Sequence, residues 1–352
     1  MSPRSPLIRV LVVDDSAFAR KVMREVLSAH ADIEVVGIAH DGLEALEKVV
    51  ELRPDVVTLD LVMPNLDGVG FLEALPATGA PAVVVVSTSD ANSDMGLLAL
   101  ERGAVDLVHK PTSLATDHLY ELSDELVSKV RVAALARPAR GLRAAVPAAS
   151  VGPAQAEPRV GARWVPRLVA VGTSTGGPQA LTRLLSALPG DLPVPIAVVL
   201  HIPGEYTAAL ARRLDSVCAL HVVEASEGLR LEPGLAVVAR GGLHLKFRRQ
   251  SGQVVATLDG SPISTPHRPS VDVMLTSAVE VFGGGVLGVV LTGMGNDGLA
   301  GAQAVYAAGG RMLTESESSC VVYGMPRCVY EAGLADAEAP LDRMAAAILA
   351  RF

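Results

Sequence analysis

Aromatic residues supply only 3% of the 352-residue chain, although half of its residues are apolar. The core must therefore be built from Val, Leu, Ala and Ile, which suits buried parallel strands covered by helices. Cysteine is scarce as well. Cys218, Cys320 and Cys328 contain no C-x-x-C pair and leave an odd thiol, which argues against a disulfide framework and fits a reducing cytoplasm. Basic charge is in deficit: 30 Lys and Arg against 38 Asp and Glu give a net charge of −8. Nucleic-acid contacts need clustered Lys and Arg, so a nucleic-acid partner is not expected. No apolar stretch reaches the ~18 residues that span a bilayer, since each is cut by Gly, Pro or a charge. The segment from Met1 to Arg9 lacks the apolar core and small-residue cleavage site of a secretory leader. A cytoplasmic protein without membrane insertion is the expectation.

The length exceeds one ordinary domain and predicts two. From Ile8 to about Leu126, apolar runs alternate with helical patterns, five of each, as in a (βα)5 doubly wound sheet with its site at the carboxyl ends of the strands. Residues 127–166 then read as a linker: Pro138, Pro147, Pro153, Pro158 and Pro166 break any helix. Residues 131–167 carry seven arginines against one acid, Glu157, a solvated charge run. Trp164 is read as an anchor for the linker's end on the second domain. Residues 167–352 resume the α/β alternation, with a strand-rich stretch from Leu220 to Leu258, and predict a mainly parallel sheet.

Four polar groups close apolar runs in the first unit. Asp60 follows Val56-Val57-Thr58-Leu59, and Asp14-Asp15, Ser87 and Lys110-Pro111 end similar runs. At one sheet edge Asp14, Asp15 and Asp60 can hold an oxygen-seeking Mg²⁺ while Asp60 attacks a phosphoryl group. The Ser87 hydroxyl and Lys110 ammonium can then contact the new phosphate. Together with Met63-Pro64 and Asp67-Gly68, these residues resemble the receiver domain of two-component response regulators over about residues 7–126. That resemblance implies a histidine kinase as phosphodonor. Leu107 departs from it, standing where many receivers place an aromatic that reports phosphorylation.

In the second unit, Gly172-Thr-Ser-Thr-Gly-Gly177 lies between an apolar run and Pro178, a residue favoured in the first helical turn. Ser174 thus sits on a tight strand-to-helix turn, where free N–H groups can stabilise an oxyanion. Alone, such a loop more often binds phosphate or simply turns the chain. A dinucleotide reading fails, because the spacing is G-x-x-x-G-G and Asp191 lies in a Pro/Gly loop. His201 ends the run Ile196 to Leu200, and Asp297 lies in the loop after another run, within Leu291-Thr-Gly-Met-Gly-Asn-Asp-Gly298. Each has a commonplace structural reading. Three such groups on one parallel edge allow Ser174 as nucleophile, His201 as general base and Asp297 as its orienter, in an admissible order.

The segments Gly172 to Gly177, His201-Ile-Pro203, His267-Arg-Pro-Ser-Val-Asp272, Leu291 to Gly298 and Ser319-Cys-Val-Val-Tyr-Gly-Met-Pro326 resemble the catalytic domain of the CheB chemotaxis methylesterases. With the receiver and the linker, the resemblance spans nearly the whole chain. It implies hydrolysis of glutamate γ-methyl esters, and in many members deamidation of glutamines, on methylated chemoreceptors. The triad falls on Ser174, His201 and Asp297, and Thr175 and Met294 fall near the active site. The hydrolytic site needs no metal, and a monomer is expected. Thr173 departs from the pattern, standing where Ala is common, as does the stretch Glu315 to Cys320. His267 and Asp272 are read as cleft-lining or helix-packing residues. Two alternatives stay open: another substrate outside chemotaxis, or a receptor-docking module whose hydrolase-like domain is inactive.

Overall fold

The computed structural model describes residues 7–76, 78–87, 93–110, 116–136 and 164–352. They form two compact units, one within 1–145 and one within 146–352.

In the first unit the strands β1 (Ile8–Val13), β2 (Ile33–Ala39), β3 (Val56–Leu59), β4 (Ala82–Ser87) and β5 (Asp106–His109) alternate with the helices α1 (Ala17–Ser28), α2 (Gly42–Leu52), α3 (Gly68–Ala74), α4 (Ser93–Glu101) and α5 (Thr116–Leu135). The sheet order is β2-β1-β3-β4-β5, with every pair parallel. The (βα)5 expectation is met. The central strands β3 and β4 are buried on both faces, as their unbroken apolar runs require. Helix starts follow local chemistry: the side chains of Ser16, Asp41 and Asp67 accept backbone N–H groups at the amino ends of α1, α2 and α3.

The linker's start differs from the expectation. Position 127 falls inside α5, which runs to Leu135 and buries Val127, Val130, Val132 and Ala133. The apolar helical period continues past Leu126, and the first helix-breaking residue is Pro138. Residues 137–163 of the linker, with most of its arginines, and Pro111 lie outside the described residues.

The second unit contains β6 (Leu168–Thr173), α6 (Gly177–Ser186), β7 (Ile196–Leu200), α7 (Gly204–Val217), β8 (His221–Glu224), β9 (Leu235–Val238), β10 (His244–Gln250), β11 (Gln253–Asp259) and α8 (Val271–Phe282). There follow β12 (Val286–Val290), α9 (Leu299–Ala307), β13 (Arg311–Glu315), α10 (Met325–Glu331), β14 (Ala337–Ala339) and α11 (Leu341–Leu349). Seven strands form one parallel sheet in the order β14-β13-β12-β6-β7-β9-β8, and β10 and β11 make a separate antiparallel hairpin. β6, β7 and β12 are entirely buried, which their Val, Leu, Ala and Gly content permits. The chain leaves β6 toward β7 on one side and later returns at β12 on the other. That reversal opens a crevice at the carboxyl ends of these strands.

Trp164 anchors the start of this unit as expected. Its Nε1–H donates to the Gly284 carbonyl at 2.6 Å, and the Arg167 N–H donates to that of Gly285 at 2.7 Å.

Candidate active site and phosphoacceptor site

Ser174 follows β6 directly. Its N–H donates to the Thr292 carbonyl at 3.0 Å, and its own carbonyl accepts the Gly177 N–H at 2.7 Å, closing the turn into α6. Gly176 takes a left-handed φ of +79°, and a Cβ there would lie 2.7 Å from a Val321 methyl, so both conformation and space require glycine. On the other flank, a Cβ at Gly293 would stand 2.8 Å from that of Ser174. The loop after β12 therefore presses directly on the serine.

His201 ends β7, one strand away, where its N–H donates to the Thr173 carbonyl at 3.2 Å. Its Nε2 lies 2.8 Å from Asp297 Oδ2. The carboxylate is fully engaged: Oδ1 accepts the Ser270 hydroxyl at 2.8 Å and the Asp272 N–H at 2.9 Å, and Oδ2 also accepts the Val271 N–H at 2.7 Å. Burial alone would push this carboxyl up. The hydrogen bonds and charge of His201, with those backbone donors, outweigh it and hold Asp297 well below the usual carboxylate range. An ionised Asp297 requires the proton on Nε2, which leaves the Nδ1 lone pair of neutral His201 as the basic atom. Nδ1 is buried and has no hydrogen-bond partner among the described residues. Among the described residues, Ser174 Oγ and this nitrogen make no contact with each other; catalytic hydrogen bonds in unliganded enzymes commonly tighten only with substrate bound.

The structure thus joins His201 to Asp297 and sets Ser174 on the adjoining strand end. Thr175 is buried, and its carbonyl accepts the Thr292 hydroxyl at 3.0 Å. Met294 is 44% exposed at the rim. Its N–H makes no hydrogen bond among the described residues. His267 stacks on His201, with ring centroids 4.0 Å apart and planes 18° from parallel. Asp272 has a structural role, since its Oδ1 accepts the Gly298 and Gly301 N–H groups at 2.9 and 2.7 Å and so caps α9. The sequence did not single out Ser270, Thr292 or His244 as supports. Ser270 alone left a signal, as the residue before the helical run Val271 to Phe282. Neutral His244 is fully buried; its Nδ1 accepts the Ser270 N–H at 3.2 Å, which ties down the segment carrying His267.

In the first unit, one carboxylate oxygen from each of Asp14, Asp15 and Asp60 falls within 4.8 Å of the others. Lys110 Nζ donates to Asp14 Oδ2 at 2.6 Å and to Asp60 Oδ2 at 3.0 Å. Burial raises the Asp14 pKa, and the bond from Lys110 offsets only part of that rise. Burial would lower the Lys110 pKa, but its bonds and attraction to both acids outweigh it, so the net shift is upward. Three hard oxygen donors with surplus negative charge fit a Mg²⁺ ion. Ser87 is fully buried at the end of β4. Leu107 is buried as well, so this position presents no aromatic side chain that could swing between core and surface.

Residues 169–348, more than half of the chain, match the family model for CheB methylesterase. The chain belongs to the CheB methylesterase family. Residues 10–121 match the response regulator receiver domain, so this family member carries its own receiver. Among curated relatives, the chain is 59% identical to protein-glutamate methylesterase/protein-glutamine glutaminase 5 of Myxococcus xanthus, covering 96% of both chains. It is 42% identical to the Geobacillus kaustophilus protein-glutamate methylesterase/protein-glutamine glutaminase, covering 97% of this chain and 98% of that one. The crystal structure of the Thermotoga maritima CheB methylesterase catalytic domain matches with a TM-score of 0.52 at 40% identity, covering 53% of this chain and 99% of that one. No described helix is long and apolar enough to cross a membrane.

Proposed function

We propose that this CheB-family methylesterase hydrolyses glutamate γ-methyl esters on methylated chemoreceptors, and deamidates receptor glutamines, through Ser174, His201 and Asp297. The observation that carries this reading is the His201–Asp297 contact at 2.8 Å, which leaves a buried Nδ1 lone pair on the strand end beside Ser174. Ser174 Oγ attacks the ester carbonyl as His201 Nδ1 takes its proton. Asp297, held ionised by its four donors, stabilises the imidazolium. The Met294 N–H, which makes no hydrogen bond among the described residues, would donate to the developing oxyanion. His201 returns the proton to the leaving oxygen and methanol departs. Water, activated by the same imidazole, releases the glutamate; with a glutamine substrate the leaving group is ammonia.

The receiver supplies control. Asp14, Asp15 and Asp60 would hold Mg²⁺, which when bound neutralises charge around an incoming phosphoryl group. Asp60 accepts the phosphoryl from a two-component histidine kinase, and Lys110 and Ser87 contact the product. In its unphosphorylated state the receiver restrains hydrolysis, and phosphorylation relieves that restraint. The carboxylate cluster and the lysine bridging Asp14 and Asp60 support this reading. The protein acts in the cytoplasm, as a monomer.

Methanol release from methylated receptor membranes tests the chemistry: Ser174→Ala is expected to abolish it, and retained release would move the nucleophile elsewhere. For control, hydrolysis is compared for the intact chain, a fragment of residues 164–352, and the intact chain with a small-molecule phosphodonor. Equal rates in all three overturn inhibition by the receiver. Asp60→Asn is expected to remove the phosphodonor response alone.

A further inference from the structure

Thr173, at which the chain leaves the usual family pattern, and Glu315, which opens a second departing stretch, meet at a single residue. The Thr292 carbonyl accepts the Thr173 hydroxyl at 2.7 Å beside the Ser174 N–H. The Thr292 N–H donates to Glu315 Oε2 at 2.8 Å. Its hydroxyl donates to the Thr175 carbonyl and accepts the Val322 N–H, both at 3.0 Å. The nucleophile and both of its chain neighbours are therefore tied to Thr292, and Thr292 is tied to the end of β13.

Glu315 is fully buried, and no cation pairs with it within ion-pair distance among the described residues. Burial pushes its carboxyl up, against the bonds from Thr292 and Ser319. Its other oxygen accepts the Ser319 hydroxyl at 2.9 Å, and Ser319 Oγ in turn accepts the Leu341 N–H at 2.9 Å. Acyl transfer makes no use of this acid. An apolar side chain would avoid the cost of burying it, but would strand the Thr292 N–H without an acceptor.

We infer that Thr173, Thr292 and Glu315 form a buried clasp that fixes the backbone turn carrying Ser174, and with it the position from which the hydroxyl approaches His201. This inference rests on the reading of Ser174 as nucleophile. None of the three touches substrate; each is a positioning residue. Small displacements at a nucleophile are costly, since an error of about 1 Å can lower a rate roughly 100-fold.

The test uses the full chain with Thr173→Ala, Glu315→Leu, Glu315→Gln and the double variant Thr173→Ala/Glu315→Leu. It reads kcat, KM, thermal midpoint and the rate at which a fluorophosphonate labels Ser174, located by peptide mass spectrometry. Thr173→Ala and Glu315→Leu are expected to lower kcat and labelling about tenfold, as loss of one buried hydrogen bond allows, with KM within about twofold. Glu315→Gln is expected to restore both to within about twofold, because its amide oxygen accepts the same Thr292 N–H. The double variant should lose less than the product of the single losses, since both act on one loop. A folded Thr173→Ala with wild-type kcat and labelling overturns the clasp, as does Glu315→Gln behaving like Glu315→Leu. Should Glu315→Leu not fold, Thr173→Ala and Glu315→Gln still decide. A wild-type protein that is not labelled at Ser174 overturns the nucleophile assignment; equal labelling of wild type and variants overturns the clasp alone.

Discussion

His267 lies flat against His201, with centroids 4.0 Å apart. The contact restricts the tilt of the imidazole around its bond to Asp297 and covers one face of the ring. An aromatic pair of this kind contributes roughly 0.5–1.5 kcal/mol. His267→Ala is therefore expected to lower kcat about threefold to tenfold, and His267→Phe, which keeps the stack without a titrating group, to recover most of it. Steady-state ester hydrolysis by the two variants checks this; equal losses in both would assign the effect to the ring nitrogens.

The Ser270 hydroxyl has two partners: it donates to Asp297 and accepts the Val273 N–H at 3.4 Å as the cap of α8. Ser270→Ala removes both, and a loss of about 1–2 kcal/mol of stability is expected. Because Asp297 loses one of its four donors, kcat should fall about tenfold. Asp297→Asn is far more severe, on the order of 10³- to 10⁴-fold, since the imidazole loses the carboxylate that fixes its tautomer. Thermal unfolding with kinetics separates the two effects.

Asp297 and Glu315 pull the pH dependence of stability in opposite directions. The folded pKa of Asp297 is depressed below its ordinary 3.8, so its contribution is fully present above that value and is lost as pH falls through the folded value. Glu315 is raised above its ordinary 4.5, so its ionisation destabilises the fold as pH rises from 4.5 through the folded value, and the cost persists above it. Glu315→Gln should raise the thermal midpoint at neutral pH and change little well below pH 4.5, whereas Asp297→Asn should flatten the acid limb below about pH 4. Melting curves across pH read both.

In the receiver, Lys110 sits between Asp14 and Asp60 and would oppose a cation held by those carboxylates. Lys110→Ala is expected to tighten Mg²⁺ binding several-fold, and Asp14→Asn to weaken it about tenfold or more. Calorimetric titration with Mg²⁺ measures both, and unchanged affinity in Asp14→Asn would remove that carboxylate from the metal site.

Asp14, Asp60, Ser87, Ser174 and His201 were legible in the sequence because each is a polar group closing an apolar run, and a parallel sheet sends all such ends to one side. Asp297 was legible from the loop that follows Leu291. Ser270, Thr292, His244 and the role of Glu315 were not, since their partners lie 23 to 30 residues away along the chain, or further, and no local pattern reports a tertiary contact. Thr173 was visible as a departure, but only its bond across to Thr292, 119 residues later, makes the hydroxyl an internal strut. The extent of α5 was hidden by composition: the Ala- and Arg-rich stretch after Leu126 resembled linker while its Val positions still kept the helical period.

Trp164 and Arg167 moor the second unit at the amino-terminal ends of β6 and β12, while Ser174 and Asp297 stand beyond the carboxyl ends of those strands. The covalent leash and the chemistry thus occupy opposite poles of a stiff rod about 20 Å long. Tension on the leash has no lever on the nucleophile through that rod. Cleavage of the chain just before Trp164 should therefore leave the reacting groups undisturbed.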